Sequence, residues 1–583
     1  MKNVQIADLL ARMADLMEIL GQDVFRINSY RKAALVLQEL PEPIENISAA
    51  GGLLDIPGIG KGMAQKIEQY LATGKIDAYE QLAAKAPPRL IELLHVQGVG
   101  PKTIAKLWKE VGIESLDDLR RVLRDSPGKI EALKGMGAKK VQQLQAGLAF
   151  VAGTGGRITL GQAEGLSKEL LEGIGRSKGV RSAVAAGSLW RGKETIGDID
   201  LLASAGADAA GGIIEAFVTA PAVQRVLAKG DTKGSVVLAG DVQADLRVVA
   251  PESFGAALAY FTGSKAHNVR LRELAVKRGW KLNEYGLFDG DKAIAGADEE
   301  GIYRKLGLEF VSPELREDRG EVQAAQEGKL PRLLELSDIR GDFHMHTTGR
   351  HGLTGSDGTQ TIEEMVEACR GRGYKYMCIS DHSKSQRQAN GLDEARLAKA
   401  VAAIHAARKQ YPDMLILAGC EVDILKDGTL DFSDDVLAEL DFVIASPHAA
   451  LTMPGPEATR RLIKAIEHPR VHCLGHPSGR LINSRPGMEI DIDAIAKAAA
   501  ANDVALEVNA HYMRLDLRDT HVRAAIEHGA VICINSDAHS AAELDVMRYG
   551  VMTARRGWAS KGDVLNAWSV EKLKAWLAKK NRR

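Results

Sequence analysis

Two aspartates, Asp198 and Asp200, stand two positions apart at the start of an apolar run. In a β-strand, residues i and i+2 point to the same face, so both carboxylates would project from one surface of a sheet. Carboxylates held together repel each other unless a cation lies between them, and a hard divalent ion such as Mg²⁺ prefers oxygen ligands in this arrangement. Asp245, in the strand-like run 242–249, is the candidate for a third carboxylate. The pattern favours a metal site over an acidic pair at the edge of a surface strand.

A phosphate-binding pattern precedes these aspartates. Gly187 and Ser188 offer backbone N–H groups and a hydroxyl, and Arg191 adds a guanidinium a few residues later. Such groups hold phosphate oxygens through charge-assisted hydrogen bonds and through backbone amides that point to an anion. A phosphate-binding turn followed by paired carboxylates predicts nucleotidyl transfer with divalent ions.

Metal-competent side chains are concentrated in the second half of the chain. Thirteen of the fifteen histidines lie between His344 and His539. From residue 338 onward, seven apolar runs each end in polar residues, and helical patterns such as 362–370 and 395–408 separate them. Strands that alternate with helices and carry polar residues at their carboxyl ends are typical of a parallel β/α barrel, and the segment has about the usual length of roughly 250 residues.

The polar ends of these runs predict a metal centre at the mouth of the barrel. His344 and His346 lie two positions apart and would face the same way as a ligand pair. The other candidates at the strand ends are His382, Glu421, His448, His476, Asp537 and His539. This set exceeds what one ion can bind, so we expect two or three ions bridged by a carboxylate, with Glu421 as the bridging candidate.

Residues 1–152 combine short amphipathic helices with a repeated turn. A Gly-x-Gly pattern recurs at positions 58, 98 and 135, a spacing near 40 that is typical of a repeated supersecondary unit. Glycines let the backbone approach a phosphate closely, and the N–H groups at the start of the next helix bind the anion. The repeats therefore predict helix–hairpin–helix units that contact DNA without reading its sequence. The residues predicted to contact DNA are Gly58, Gly60, Gly98, Gly100, Lys102, Gly135 and Gly137.

The stretch 187–200 resembles the palm signature of the family X DNA polymerases, the group of DNA polymerase beta. The stretch 260–264, Tyr-Phe-Thr-Gly-Ser, together with Asn268 and Arg272, is similar to the nucleotide-pocket motif of the same family at the junction of palm and thumb. The resemblance implies two Mg²⁺ or Mn²⁺ ions held by Asp198 and Asp200, with Asp245 joining them at the primer end. One ion would activate the primer 3′-hydroxyl, and the other would neutralise the triphosphate and the leaving pyrophosphate.

The same resemblance implies a nucleotide pocket. The side that holds the triphosphate would consist of Arg157, Gly187, Ser188 and Arg191. The side that holds the sugar and base would consist of Tyr260, Phe261, Gly263 and Asn268, with Arg272 contacting the nucleotide or the template.

Lys66 lies on the helix that follows the first Gly-x-Gly turn. In the polymerase beta pattern the matching position carries the lysine that forms a Schiff base with a 5′-deoxyribose phosphate. A lysine near other cations has a lowered pKa and can act as a nucleophile. The alternative is a lysine that faces phosphate or solvent, and Arg26 stands where that family has a lysine. Lyase activity of Lys66 is therefore a hypothesis beside the alternative of simple phosphate binding.

The segment 338–575 resembles the polymerase-and-histidinol-phosphatase (PHP) domain. The resemblance implies a distorted seven-stranded barrel with a centre of two or three Zn²⁺ or Mn²⁺ ions that hydrolyses phosphate esters. The family carries Ser-Asp-Gly close behind His-x-His, whereas here the insert 349–355 displaces this motif to 356–358. Asp357 is the predicted ligand, and His351 within the insert is the rival candidate.

Composition limits the class of protein. A chain of 583 residues predicts about three or four domains. Its net charge of −1 implies that DNA binding depends on local basic patches. The five cysteines lie in or beside apolar runs without Cys-x-x-Cys spacing, which predicts buried, reduced thiols in a cytoplasmic protein. The first helix is charged and no apolar run reaches the ~18 residues of a membrane span, so neither a signal peptide nor a membrane partner is expected.

These patterns and resemblances together predict a multidomain α/β protein. The expected parts are a lyase-like helical domain (1–85), a fingers-like helical domain (86–152), a palm (153–254), a thumb (255–316), a linker (317–337) and a PHP barrel (338–583). We expect a monomer that binds gapped, nicked or damaged duplex DNA and deoxynucleoside triphosphates. The expected function is gap filling by a repair polymerase fused to a nuclease, with 3′→5′ exonuclease, apurinic/apyrimidinic endonuclease and 3′-end processing as the implied nuclease activities.

Two alternatives remain open from the sequence. In the first, the polymerase half is inactive and serves as a DNA-binding module for the nuclease. In the second, the barrel is a phosphatase of small molecules, and duplex DNA is a poor substrate for it.

Overall fold

A computed structural model describes residues 2–39, 44–56, 58–96, 99–154 and 156–581. The chain forms two compact units. The first comprises Met1–Gly155 with Asn483–Arg485, and the second comprises Gly156–Ile482 with Pro486–Arg583.

The first unit is helical. The described helices are Lys2–Ile19, Val24–Glu39, Ile44–Ala49, Lys61–Thr73, Asp77–Ala83, Pro101–Val111, Leu116–Asp125, Gly128–Glu131 and Ala138–Thr154, with 3₁₀ turns at Leu53–Asp55 and Pro88–His95. In the first helix, Ile6, Leu10, Met13 and Met17 recur at spacings of three and four and are fully buried. This periodicity places one apolar stripe on the helix and directs that stripe into the core.

Each repeated Gly-x-Gly turn ends at the start of a helix. Gly60 and Gly100 are the N-cap residues of the helices Lys61–Thr73 and Pro101–Val111, and Gly137 directly precedes the helix Ala138–Thr154. Gly58 and Gly135 adopt positive φ angles of 96° and 80°, which favour glycine because it lacks a Cβ atom. The predicted position Gly98 lies outside the described residues. The predicted helix–hairpin–helix organisation is therefore present in the structure.

The segment predicted as the palm, 153–254, contains a five-stranded sheet. In spatial order its strands are Val180–Ala185, Asp198–Ala205, Gln243–Val249, Lys233–Leu238 and Val223–Lys229. A two-stranded ribbon pairs Ile158–Thr159 with Thr195–Ile196, and the helices are Leu160–Gly175, Gly187–Trp190 and Ala207–Val218. The strand that begins at Asp198 lies in the interior of the sheet, so both of its edges are bonded and its position is fixed.

The thumb follows the palm. It contains the helices Phe254–Thr262, Lys265–Val276 and Glu299–Lys305 and the three-stranded sheet Trp280–Asn283, Gly286–Asp289 and Lys292–Ala295. The stretch 317–337, for which the sequence predicts a linker, differs from an open linker because it contains the helix Glu321–Glu327. Val322 and Ala325 pack into the same core as Leu271 and Leu306 of the thumb. The sequence did not predict this helix, because Val322 and Ala325 are only two apolar positions in a charged stretch and two positions do not establish a helical periodicity.

The barrel contains seven parallel strands, as the sequence predicts. In order they are Gly341–Asp342, Tyr376–Ile379, Leu415–Asp423, Phe442–Ser446, Cys473–Leu474, Ala505–Asn509 and Ile532–Asn535. The helices are Ile362–Gly371, Glu394–Gln410, Asp434–Ala438, Gly455–Ile466, Ile492–Ala501, Asp519–Glu527, Met547–Arg556 and Val570–Lys580. Most strands are buried along their whole length, because helices cover their outer face.

Asn566 connects the first and last strands of the barrel. Its side-chain N–H groups donate to the carbonyl oxygens of Gly341 at 2.9 Å and Ile534 at 2.6 Å. Its side-chain oxygen accepts a hydrogen bond from the Ile534 N–H at 2.7 Å. The residue is fully buried. The amide thus satisfies backbone groups at the seam of the barrel.

We expect Asn566→Ala to lower the free energy of unfolding by about 3 kcal/mol, because three buried backbone groups lose their hydrogen-bond partner. Thermal unfolding of the full chain, followed by circular dichroism, should show an earlier transition. The matched control is Gln410→Ala, which removes an exposed amide from a barrel helix. Equal transition temperatures in the two variants would contradict a structural role for the seam amide.

All five cysteines are buried and form no disulfide, as the sequence predicts. Within the described part of the chain, no helix combines the length and the apolar surface that a membrane crossing requires.

Candidate functional site

Three carboxylates converge at one end of the palm sheet. Asp198 and Asp200 lie on the same interior strand, and Asp245 lies opposite Asp200 on the neighbouring parallel strand. One oxygen atom from each of the three lies within 4.8 Å of the others. The Asp245 carboxylate also accepts hydrogen bonds from Gln243 at 2.8 Å and from Ser235. The structure therefore brings together all three predicted palm carboxylates.

The charge of this cluster calls for a cation. Burial, followed by the neighbouring charges of Asp198 and Asp245, raises the pKa of Asp200 to about 7, although Arg191 and Arg247 act in the opposite direction. A divalent ion between the oxygens removes this repulsion, and hard ions such as Mg²⁺ or Mn²⁺ suit an all-carboxylate set. The donor set therefore fits the metal ions that the sequence predicts.

The turn ahead of these carboxylates has no space for a side chain at Gly187. Gly187 has a φ of 61°, and a Cβ atom there would lie 2.1 Å from an Asp200 oxygen. The Ser188 hydroxyl is buried and has no hydrogen-bond partner among the described residues. A buried hydroxyl without a partner is unfavourable, so an external acceptor such as a phosphate oxygen would stabilise it.

We expect Gly187→Ala to lower the rate of nucleotidyl transfer by about a hundredfold, since a displacement near 1 Å of a reacting group has effects of this size. The added methyl group would push Asp200 away from Asp198 and Asp245. Primer extension under single-turnover conditions measures the rate. Gly165→Ala is the matched control, because a Cβ atom at Gly165 meets nothing within 4 Å. A rate equal to that of the control would show that Asp200 tolerates the methyl group.

The two predicted triphosphate-binding arginines make protein contacts in this structure. The Arg157 guanidinium donates to the Thr195 hydroxyl at 2.9 Å and to the Thr195 carbonyl at 2.5 Å. The Arg191 guanidinium donates to Glu317 at 3.0 Å and to the Thr262 carbonyl at 2.5 Å. Arg191 is thus directed to the junction with the thumb, and Glu317 is a partner that the sequence did not reveal.

The residues predicted for the sugar and base lie together on two helices of the thumb. Tyr260, Asn268 and Arg272 line one small cavity, and the Asn268 amide donates to the Tyr260 carbonyl at 2.7 Å. The Phe261 ring lies edge-on to Tyr260 and beneath the Arg247 guanidinium, which is 4.8 Å from the ring centroid. Gly263 ends the first of these helices with a φ of 69°. The predicted pocket residues therefore form one surface.

In the first unit, Lys66 lies on the helix after the first glycine turn. Its ammonium group donates to the Gly62 carbonyl at 2.9 Å and lies 5.7 Å from the centroid of the Tyr30 ring. Lys102 lies in the first turn of the helix Pro101–Val111.

Glu421 lies at the centre of a histidine cluster at the carboxyl ends of the barrel strands. Its carboxylate oxygens are 2.7 Å from His382 Nδ1, 2.9 Å from His476 Nε2, 3.3 Å from His448 Nε2 and 3.4 Å from His344 Nε2. Glu421 itself is fully buried. Histidine nitrogens, which are metal ligands, lie beside both carboxylate oxygens. Glu421 is therefore placed as a carboxylate that could bridge two ions.

Two further carboxylates complete this cluster. Asp537 Oδ1 is 3.1 Å from His346 Nε2 and 3.5 Å from His344 Nε2. Asp357 Oδ1 is 3.5 Å from His539 Nε2 and 3.7 Å from His382 Nε2. The structure thus brings Asp357 into the cluster, whereas the side chain of its rival His351 lies outside the described residues.

Unpartnered buried atoms show that the cluster fits metal ions. Within the described residues, these atoms make no hydrogen bond of acceptable geometry, although His382 Nδ1 and Glu421 Oε2 lie 2.7 Å apart: His344 Nε2, His346 Nδ1, His382 Nδ1, Glu421 Oε2 and His476 Nδ1. Buried polar atoms are almost always satisfied, so such a concentration needs an explanation. Burial, followed by the charges of His539 and His382, lowers the pKa of His346 to about 3, which leaves the neutral imidazole that binds metals. Imidazole and carboxylate ligands suit Zn²⁺ or Mn²⁺.

Backbone strain accompanies this cluster. His476 and Asp537 adopt positive φ angles of 22° and 56°. Residues other than glycine avoid this region at a cost of about 1–3 kcal/mol, and such strain is concentrated at functional sites.

Two buried carboxylates for which the sequence predicted no role, Glu507 and Asp423, orient the histidines. Glu507 accepts a hydrogen bond from His344 Nδ1 at 2.7 Å and one from the His476 backbone N–H at 2.6 Å. Asp423 accepts one from His448 Nδ1. A carboxylate on one imidazole nitrogen fixes the tautomer that presents the other nitrogen to a metal. The strand period could have revealed both, because Glu507 and Asp423 lie two positions from Asn509 and Glu421.

We expect Glu507→Gln to lower the affinity of the barrel for metal roughly 10- to 100-fold, which is the usual effect of losing such a partner. Glutamine has nearly the volume of glutamate, but its neutral amide oxygen accepts a weaker hydrogen bond from His344 than a carboxylate does. Titration of metal-stripped protein with Mn²⁺ measures the affinity. Glu439→Gln, an exposed barrel residue, is the control. Unchanged affinity would mean that Glu507 does not support the ligands.

Four domain families match the chain. The DNA polymerase beta thumb matches residues 257–317, a helix-hairpin-helix domain matches 1–76, a SAM-like helix-hairpin-helix tandem matches 90–149, and the PHP domain matches 342–511.

Curated relatives match the whole chain or a part of it. The DNA polymerase/3′-5′ exonuclease PolX of Bacillus subtilis is 37% identical over 581 residues, which cover 99% of both chains. DNA polymerase lambda of Arabidopsis thaliana is 27% identical over 54% of this chain and 62% of its own length. A "Probable phosphatase" of Caldicellulosiruptor saccharolyticus is 31% identical over 32% of this chain and 77% of its own length. The chain therefore belongs to the family X DNA polymerases that carry a C-terminal PHP domain, the group of the Bacillus PolX.

Proposed function

We propose that this chain fills short gaps in DNA by template-directed nucleotidyl transfer in its palm and shortens DNA 3′ ends by hydrolysis in its barrel. The observation that carries the proposal is the presence of two separate ligand clusters in one chain, one of three carboxylates and one of histidines around Glu421. The full-length similarity to a DNA polymerase/3′-5′ exonuclease supports the same pairing of activities.

The palm residues bind and orient the reactants of nucleotidyl transfer. Asp198, Asp200 and Asp245 hold the divalent ions, and Ser188 contacts the triphosphate with its buried, unpartnered hydroxyl. Ions bound at the two clusters supply charge neutralisation at phosphorus and a lowered pKa for the attacking hydroxyl or water. The primer 3′-oxygen forms a bond to the α-phosphorus, the bond from the α-phosphorus to its bridging oxygen breaks, and pyrophosphate leaves.

The barrel residues hold a phosphodiester for hydrolysis. The cluster lies at the carboxyl ends of the strands, where barrels present their sites. Glu507 and Asp423 fix the histidine tautomers, so the ligands need little rearrangement when DNA binds. The water oxygen forms a bond to the phosphorus, and the bond from the phosphorus to the 3′-oxygen of the preceding nucleotide breaks. That oxygen takes up a proton to become the new 3′-hydroxyl, and the terminal nucleotide is released as its 5′-monophosphate. Apurinic/apyrimidinic endonuclease and 3′-end processing belong to the same proposal, since each breaks a phosphate ester.

The identity of the metal ions, the DNA contacts, the oligomeric state and the role of Lys66 belong to the same proposal. Mg²⁺ or Mn²⁺ is proposed for the palm because its ligands are all carboxylates, and Mn²⁺ or Zn²⁺ for the barrel because most of its ligands are imidazoles. Contact of the glycine turns with the DNA backbone is proposed because each second glycine begins a helix. Action as a monomer and Schiff-base formation by Lys66 remain proposals on the sequence pattern alone.

Hydrolysis of small phosphate esters is a second candidate for the barrel. The observations that favour it are the 31% identity over 198 residues to a "Probable phosphatase" and the match of the PHP domain to residues 342–511.

A single gapped substrate tests the proposal. An end-labelled primer on a duplex with a one-nucleotide gap is incubated with Mn²⁺, with and without deoxynucleotides, and its length is resolved on a gel. The expected result is lengthening with nucleotides and shortening without them, both abolished by chelation. A primer that never lengthens would mean that the palm only binds DNA. A primer that never shortens would favour small phosphate esters as the substrates of the barrel.

A further inference from the structure

A cavity of about 520 Å³ lies between the palm and the barrel, within the second unit. Its palm wall is the segment 192–195, which follows the turn that carries Ser188 and Arg191. Its barrel wall includes the segment 518–520 and Thr553. The volume falls within the usual range for a small-molecule site, about 300–1,000 Å³.

The lining of this cavity is strongly cationic. Five basic side chains face two carboxylates, those of Glu194 and Asp519. The basic residues are Arg157, Lys193, Arg319, Arg518 and Arg556. Asp519 is shared by Arg556 at 2.8 Å and Arg319 at 3.0 Å, and Glu194 is paired with Arg480 at 2.7 Å.

Two of these cations are only weakly compensated. The Arg518 side chain is exposed and forms no hydrogen bond or ion pair with the described residues, while its backbone carbonyl accepts from the Val522 N–H. The Lys193 ammonium is 4.0 Å from a Glu317 oxygen that Arg191 and Arg556 share. Like charges that converge in one recess attract an anion, and a multiply charged anion most strongly.

Arg157 connects the lining of the cavity with the strand that carries the palm carboxylates. The Arg157 guanidinium donates to the Thr195 hydroxyl and lies beside Gly197, where a Cβ atom would be 2.8 Å from Nη1. Gly197 directly precedes Asp198, the first residue of that strand. Arg157 therefore lies against the backbone immediately ahead of the carboxylate cluster.

The barrel also holds the turn itself. Arg556, only 3% exposed at its side chain, donates to the Arg191 carbonyl at 2.6 Å and to Glu317 at 3.1 Å. Gly192 packs against Met552, since a Cβ atom there would lie 2.3 Å from the methionine side chain. The position of the phosphate-binding turn therefore depends on the barrel helix Met547–Arg556.

We propose that this cavity binds a polyphosphate, either the pyrophosphate released by nucleotidyl transfer or the triphosphate of the incoming nucleotide. The barrel thereby supplies part of the nucleotide site of the palm. The proposal rests on the proposed nucleotidyl transfer, because that reaction provides both polyphosphates.

Direct binding of inorganic pyrophosphate to the full chain tests the cavity without requiring catalysis. Isothermal titration calorimetry compares the wild type with Arg518→Ala, Arg518→Lys and the control Arg460→Ala, an exposed barrel arginine outside the cavity lining. We expect Arg518→Ala to weaken binding about fivefold, as loss of a partly exposed ion pair does, and Arg518→Lys to restore most of it. Equal binding by all four proteins would overturn the proposal.

Primer extension distinguishes the two polyphosphates. A rise in the inhibition constant of pyrophosphate in Arg518→Ala, with an unchanged KM for deoxynucleotides, assigns the cavity to the product. A rise in that KM with unchanged kcat assigns it to the incoming triphosphate, and a rise in both means that the two share it. Unchanged values of both constants would overturn the proposal. A wild type that binds pyrophosphate but extends no primer would contradict the proposed function and not the cavity.

Discussion

Replacing Asp198 and Asp200 with asparagine will abolish primer lengthening, with a fall in rate of about a thousandfold or more, since metal ions contribute several kcal/mol to such transition states. Asparagine keeps the shape of each side chain but removes the charge that holds divalent ions. The barrel cluster is separate, so the same protein will still shorten primers. Single-turnover extension and shortening on the same gapped duplex measure both activities.

A measurement of thermal stability distinguishes the loss of metal ligands from misfolding of the double variant. Because the pKa of Asp200 is raised to about 7, the metal-free palm loses stability as the pH rises from the ordinary range of a carboxyl group, near 4, to 7. Asparagine removes this loss, so at pH 8 the double variant without metal will unfold at the same or a higher temperature than the wild type. Asp231→Asn, an exposed acid of the same region, is the control for both measurements. Persistent lengthening in the double variant would place the reaction elsewhere in the chain.

The local rules of strands explain why the palm carboxylates were predictable. Asp198 and Asp200 obey the period of two, and the apolar run behind them fixes which face they share. The position of Asp245 opposite Asp200 is a consequence of strand order, which a single sequence does not encode locally. Asp245 was a candidate because it is the one acid in a strand-like apolar run, and its role at the primer end came from the resemblance to family X polymerases.

The barrel ligands were predictable for a different reason. In a parallel barrel every strand ends at the same mouth. Polar residues that follow each apolar run therefore converge at that mouth, whatever path the connecting helices take. Glu421 was the bridging candidate of the two strand-end carboxylates, Glu421 and Asp537, that accompany the histidines. Asn566 could not be predicted, since its role depends on a seam between the first and last strands that has no local signature.

Contacts between segments that are distant along the chain could not be predicted from the sequence either. Glu317 lies in a charge-rich stretch, yet it binds both Arg191 of the palm and Arg556 of the barrel. The long-range pairing of three such segments gives no periodic pattern. The same holds for the cationic cavity, whose lining comes from the palm, the stretch after the thumb and the barrel.

Glu421→Gln will abolish primer shortening, with a fall of about a thousandfold or more, because a bridging charge stabilises more than one ion. Four histidines lie within 3.4 Å of its oxygens, and the amide group of glutamine would present N–H groups to at least one of them. Metal analysis of the dialysed protein should show fewer Mn²⁺ or Zn²⁺ ions per chain. Primer lengthening will persist, because Glu421 has no contact with the palm carboxylates.

The control and the alternative outcomes make this result specific to the barrel. Glu439→Gln changes an exposed carboxylate of the barrel and should leave metal content and both activities unchanged. Retained shortening with a lost ion would mean that the remaining ligands suffice, so Glu421 would not be the bridge. Loss of lengthening together with shortening would show that the barrel controls the palm, and the contacts of Arg556 with the Arg191 turn would be the physical route. Independent loss of one activity is expected, because the carboxylate and histidine clusters share no ligand.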